Sequence, residues 1–265
     1  MKYMQVFDYH IGPKLKKDLI FKSFYFQGED QKEKELGALC IIAELSNYLS
    51  SDSKILNDLG ATIKKEFFSE LNKSPEQALI NSLRAGNLFL EKLSKQGNMR
   101  WLGNLNVAIF AIKDLSVHFS KAGNIRLLML RGDEYHDIGE NLEFQQPSSD
   151  KNIHLFSNIA SGQLAENDKL ITLTHDMFDF FYNELSEQIL KFPTLSSKIL
   201  GQMLKTKKEK MEKISGIFFL IFINRKHQKK IPFIKNKFHF IKIKKEFLLI
   251  ISLLLILLLS YLIFK

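Results

Sequence analysis

The spacing of apolar and polar residues changes period several times along the chain. Residues 19–26 (LIFKSFYF) form a β-rich apolar run and predict a strand. Residues 31–50 open on QKEKE and then carry Leu36, Leu39, Cys40, Ala43 and Leu49, a helical spacing behind a polar start that predicts a helix. Two more helices are predicted over 54–70 and 74–96. The second begins Ser74-Pro75-Glu76-Gln77, with a capping serine, proline in the first helical position and glutamine where a capping box needs it. The period then shortens. Residues 105–112, 115–120 and 125–131 are β-prone, and Lys113-Asp114 and residues 121–124 separate them as hairpin turns would. A strand is predicted over 169–173, a helix over 177–192 and a last buried strand over 217–223 (IFFLIFI). Helices flank a β-rich middle, which predicts an α+β fold with helices outside a sheet core.

The run over 247–264 follows a different rule. Its 18 residues are Phe, Leu, Ile and Tyr, broken only by Ser252 and Ser260. As a helix it would span roughly 27 Å, about the hydrocarbon thickness of a bilayer. A core helix would show a polar face over five turns, so a transmembrane helix is expected. Lys235, Lys237, Lys242, Lys244 and Lys245 crowd its N-terminal side. They would lie at the membrane surface and keep the preceding body in the cytoplasm, as a single-pass protein. The first ten residues include Asp8 and His10 and do not form a secretory leader.

Charge follows the same division. The formal net charge is +9, yet residues 1–204 hold 23 Lys/Arg against 26 Asp/Glu, and residues 205–245 hold 14 against two. The basicity sits in one segment, so nucleic acid is not the expected partner of the body. The expected partners are a lipid bilayer and a cytoplasmic protein. A single cysteine, Cys40, excludes a disulfide framework or a Cys-rich zinc module, and its apolar neighbours make it a core residue. Neither a nucleotide-binding glycine loop nor an internal repeat is present.

Several segments, taken in order, resemble the metal-dependent protein phosphatases of the PPM type. Residues 78–87 (ALINSLRAGN) look like that family's helix ending in Ala-Asn, and 103–110 like its strand opening Gly-Thr-Thr. Residues 119–128 (FSKAGNIRLL) parallel its Ala-Asn-Val-Gly-Asp-Ser-Arg hairpin. Residues 158–171 parallel a Gly-x-Leu…Gly-Asp-x-Leu segment, and Thr174-His175-Asp176-Met177-Phe178-Asp179 falls at Ser-Asp-Gly-Leu-x-Asp. The resemblance covers about residues 3–225 and implies an αββα sandwich. A basic juxtamembrane linker (226–246) and the helix at 247–264 would follow.

Active members of that family hold two Mg²⁺ or Mn²⁺ ions between aspartates, and a bridging water attacks the phosphate. The resemblance implies losses at those positions. The family's Asp-Gly falls at Gln27-Gly28 or Gly28-Glu29, its Ser-Asp-Gly aspartate at His175, and the Asp-Asn opening its last strand at Ser215-Gly216. Its early Asn-Glu-Asp motif has no counterpart beyond nearby Asp8 and Asp18, and Asn124 replaces the hairpin aspartate. Metal-ligand candidates are therefore Asp8, Asp18, Glu29, Asp30, His175 and Asp176. No catalytic residue and no cofactor is expected. The expectation is a membrane-anchored pseudophosphatase acting as a binding or regulatory module. The alternative is an active Mg²⁺- or Mn²⁺-dependent serine/threonine phosphatase with a non-standard metal site.

Overall fold

A computed structural model describes residues 4–12, 18–69, 72–140, 142, 155–191 and 196–224. The chain divides into two units, Met1–Lys226 and His227–Lys265. The linker lysines and the apolar run at 247–264 lie outside the described residues. Among the described residues, no helix is long and apolar enough to cross a membrane.

The chain runs β1 (Met4–Ile11), β2 (Leu19–Gln27), α1 (Glu33–Leu36), β3 (Ala38–Ser46), α2 (Ile55–Phe67), α3 (Pro75–Lys95), β4 (Leu105–Lys113) and β5 (Ser116–Ala122). It continues through β6 (Arg126–Arg131), β7 (Glu134–Asp137), β8 (Ala160–Gln163), β9 (Lys169–Leu173), α4 (His175–Glu184), α5 (Ser186–Lys191), α6 (Ser197–Thr206), α7 (Lys208–Met211) and β10 (Gly216–Ile223). The strands make two five-stranded sheets, ordered β1-β10-β9-β6-β7 and β2-β3-β4-β5-β8. Neighbouring strands pair antiparallel throughout.

Strand alternation builds four layers from these sheets. On β3, Leu39, Ile41 and Ala43 share a core with Leu59, Ile63, Leu79 and Leu83 of α2 and α3. The alternate residues Cys40 and Ile42 join Ala108, Phe110 and Phe119, and meet Ile217, Phe219 and Ile221 of β10 between the sheets. The other side of β10, Phe218 and Leu220, packs with Met177, Phe181, Ile189 and Leu200 of the second helix layer. Helices cover both outer faces, so the central strands are buried on both sides.

This double burial explains the error over 31–50. That segment is not a helix; only α1 is helical, and β3 follows, with Ala38 to Leu45 all buried. A strand covered on both faces loses its period-two signature and reads as a plain apolar run. The helix predicted over 177–192 is broken at Leu185 into α4 and α5. The turn at 121–124 is not a hairpin either. Gly123 (φ 75°) and Asn124 carry the chain from one sheet to the other, where β6 pairs with β9 and β7. The edge strands β1, β7 and β8 and the helix α6 are not among the predicted elements, although α6 sets Leu200, Met203 and Leu204 on one buried face. Helices α2 and α3 and strands β2, β4, β5, β6, β9 and β10 follow the sequence pattern, and Ser74 Oγ accepts the Gln77 N–H at 3.2 Å as its cap.

Two side chains from the matched segments have structural work. Asn87, buried in α3, uses both ends of its amide on the Phe156 backbone, at 2.9 Å to the carbonyl and 3.0 Å from the N–H. Asp168, 1% exposed, accepts the Ala165 N–H at 2.7 Å and two-pronged bonds from Arg131, at 2.6 to 3.2 Å. Asn167 before it sits at φ 72°, a conformation that asparagine tolerates better than most non-glycine residues.

Candidate functional site

One cleft of about 360 Å³ opens where the sheets part, lined by Asp18, Leu19, Glu44, Ser46, Asn106, Asn124, His175 and Asp176. Register brings these residues together. Leu19 pairs with Ser46, and Glu44 with Asn106, at one end of the second sheet. Glu44 and Asn106 have the same strand parity as Cys40, Ile42, Ala108 and Phe110, so both side chains point between the sheets. On the other side, β9 delivers Thr174 as the cap residue of α4, whose first two residues are His175 and Asp176.

The cleft holds a chain of amide bonds. Glu44 is 7% exposed, and its Oε1 accepts from Asn106 Nδ2 at 3.1 Å. The Asn106 Oδ1 accepts the Asn124 backbone N–H at 2.8 Å. Gly123 makes that approach possible, because a Cβ there would lie 2.2 Å from Asn106 Oδ1. Arg126, two residues after Asn124, is held by Asp137 at 3.1 Å and lies over the Phe178 ring at 5.1 Å.

Of the six metal-ligand candidates, the cleft gathers Asp18, His175 and Asp176. The other three lie elsewhere. Gln27 pairs with Ala38, whereas Leu19 pairs with Ser46, so Glu29 and Asp30 follow the end of β2 remote from the cleft. There Asp30 accepts the Glu33 N–H at 2.8 Å and Glu33 accepts the Glu29 N–H at 2.6 Å, a local turn. Gly28 is packed on the Glu33 and Lys34 backbone. Asp8, on β1, faces Ser23 of β2: Ser23 Oγ donates to Asp8, and His10 Nε2 lies 2.6 Å from Ser23 Oγ and 3.1 Å from Asp8 Oδ1. Burial would raise the Asp8 pKa, but the bonds from His10 and Ser23 outweigh it and hold the carboxyl below its ordinary value.

Glu44 is the cleft carboxylate that the sequence reading missed. The available signal was one acidic residue closing the apolar run 38–45. As a strand, the run puts a carboxylate at the sheet end.

The donor set does not fit two divalent cations. Such a pair needs several charged oxygens aimed at one point. Among the described residues, no three His, Cys, Asp or Glu side chains are arranged to hold a metal ion. Glu44 faces an amide donor. At the start of β10, Ser215 is 1% exposed and its hydroxyl finds no partner among the described residues. Gly216 has no room for any side chain.

A larger cleft of about 820 Å³ shares Asp176 and runs between α4 and α7. Its Glu184 is engaged by Lys207 at 2.9 Å and by Lys210. Three serine–histidine contacts occur among the described residues, one at His10 and two at His118, where Ser116 Oγ lies 3.4 Å from Nε2. Asp8 and Ser23 meet His10 at the same ring nitrogen, so the carboxylate does not orient the far side of the ring. Ser161 lies 2.7 Å from His118 Nδ1 and donates to Glu76 at 3.2 Å.

No family model and no curated protein sequence matches the chain. Solved structures do. A point-substituted bacterial serine phosphatase is similar with a TM-score of 0.59 at 15% identity, over 84% of this chain and 98% of that one. The RsbU and RsbW domains of Rv1364c from Mycobacterium tuberculosis give 0.56 at 9% identity, over 84% of this chain. The chain spans only 62% of that protein's length. RsbX, solved with magnesium, gives 0.53 at 15% identity, over 84% and 97%. At these identities the likeness concerns architecture: the described residues carry the two-sheet, helix-flanked fold of the PPM-type phosphatase domains.

Proposed function

We infer that this protein is a non-catalytic phosphatase-fold module, anchored at the cytoplasmic face of a membrane and acting by binding a protein partner. One observation carries the inference: the buried carboxylate in the cleft, Glu44, is met by the Asn106 amide, and among the described residues it forms no metal-holding group with the cleft's Asp18, His175 and Asp176. A water activated between two cations needs both ions held, and this donor set holds neither. The full-length chain in detergent should therefore hydrolyse an aryl phosphate or a phosphopeptide no faster than a blank with millimolar Mg²⁺ or Mn²⁺. Its unfolding temperature should not move with either metal.

The alternative, an active phosphatase with a non-standard metal site, has its own supporting observation. Asp18, Glu44 and Asp176 line the same cleft with His175. Mn²⁺-stimulated turnover that disappears in Glu44→Gln would establish it and remove the non-catalytic reading.

The anchor rests on the uninterrupted apolar run at 247–264 and the lysines before it. Full-length protein should stay with membranes through alkaline carbonate. In sealed right-side-out vesicles, external protease should leave the body intact. Release by high salt would reduce the contact to an electrostatic one, and digestion from outside would reverse the orientation.

A further inference from the structure

We propose that the Asn106 side-chain amide, locked in one orientation by the Asn124 backbone, is the group that closes this cleft to divalent cations. The proposal rests on reading the cleft as the degenerate counterpart of a phosphatase metal site.

An asparagine amide can turn either face to a neighbour, and its oxygen is an acceptable ligand for a hard cation. Here the turn is prevented. The Asn124 N–H, 2.8 Å away, requires an oxygen opposite it, which fixes Oδ1 on that side and leaves Nδ2 facing Glu44 at 3.1 Å. Gly123 sits where a Cβ would collide with Oδ1 at 2.2 Å, so turn and amide are fitted to each other. The N–H group thus occupies an Oε1 lone pair that a cation would need, and presents a positive dipole end in the cation's direction. Glu44 and Asn106 are cross-strand partners near the end of β3 and β4, two strands flanked on both sides in the sheet, so neither backbone can move aside independently.

Asn106→Asp is nearly isosteric and replaces the donor with a second carboxylate. The oxygen facing Asn124 can be kept, and the oxygen facing Glu44 becomes an acceptor. Two carboxylates in contact repel one another unless a proton or a cation lies between them. The cleft would then contain Asp18, Glu44, the new carboxylate and Asp176, a set chemically suited to a hard ion.

The test compares thermal unfolding of the full-length wild type, Asn106→Asp and Glu44→Gln/Asn106→Asp, with and without millimolar MnCl₂. Wild type should not respond. Asn106→Asp should unfold at a lower temperature without metal and rise by roughly 3–6 °C with it. The double variant restores one amide facing one carboxylate, so it should ignore Mn²⁺. Should Asn106→Asp fail to fold alone, Mn²⁺-dependent recovery on refolding would support the proposal; failure with and without Mn²⁺ would overturn it. A folded Asn106→Asp that ignores Mn²⁺, beside a silent wild type, overturns this proposal and leaves the non-catalytic reading standing. A wild type that itself responds overturns both.

Discussion

Arg131→Met is expected to destabilise the folded body by about 3 kcal/mol, read as a lower denaturant midpoint with an unchanged slope. The reason is what the arginine leaves behind. Asp168 is 1% exposed, and Arg131 supplies it with bonds from Nε at 3.1 and 3.2 Å and from Nη2 at 2.6 Å. Without them, a buried carboxylate keeps the Ala165 N–H but loses its counter-ion. Breaking such a pair costs about 3–5 kcal/mol when both members are buried. The arginine side chain is 44% exposed, so water already competes for it and the lower end applies. The same guanidinium bonds the Gln163 carbonyl at 2.9 Å. It therefore ties β6 of one sheet to β8 of the other, and apolar burial of the methionine cannot replace that link. Arg131→Lys should fall between, because an ammonium keeps the charge without the planar fork. A midpoint within experimental error of wild type for the methionine variant would mean that Asp168 is satisfied by other groups.

The sequence exposed the helices best where a polar face survives. Over 54–67 and 75–95 one side of each helix meets solvent, so the 3.6-residue period is intact, and Ser74-Pro75 marks the start of α3 by its own chemistry. It misled at β3, where helices on one side and the opposite sheet on the other erased any alternation. That single error also displaced the site. With 31–50 taken as a helix, the carboxylate expected after the second strand was sought at Gly28 to Asp30, and Glu44 went unnoticed. His175 and Asp176 were singled out because the segment Thr174-His175-Asp176-Met177-Phe178-Asp179 resembles the family's Ser-Asp-Gly-Leu-x-Asp, a local motif. Asp18 shares the cleft because Leu19 pairs with Ser46, a long-range register that no local pattern encodes. Asp8 shows the opposite case: a strand residue near the expected motif whose partners are His10 of its own strand and Ser23 of the other sheet rather than the cleft residues.

Gly216→Ala is expected to be at least as damaging, about 3–5 kcal/mol, because it combines backbone strain with a collision that has no direction of escape. The glycine has φ 145°, outside the range that an L side chain readily adopts. A Cβ there would stand 1.8 Å from Thr174 Oγ1, 3.2 Å from Thr174 Cβ and 3.0 Å from Met177 Cγ. Thr174 cannot rotate away freely, since its Oγ1 accepts the buried Ile217 N–H at 3.1 Å. Met177 is fully buried in the helix-side core. Either β10 shifts, loosening its pairing with β1 and β9, or the start of α4 moves and takes His175 and Asp176 out of the cleft. Thr174→Ala alone should cost about 1–3 kcal/mol, through the N–H left without its acceptor. Combined with Gly216→Ala it also removes the closest clashing atom, so the double variant should be clearly more stable than the sum of the two losses predicts. Strict additivity would show that the strain lies in the glycine's own backbone and not against the threonine. The clash also bears on function. A chain with no room for a Cβ at position 216 cannot place a metal-binding side chain there.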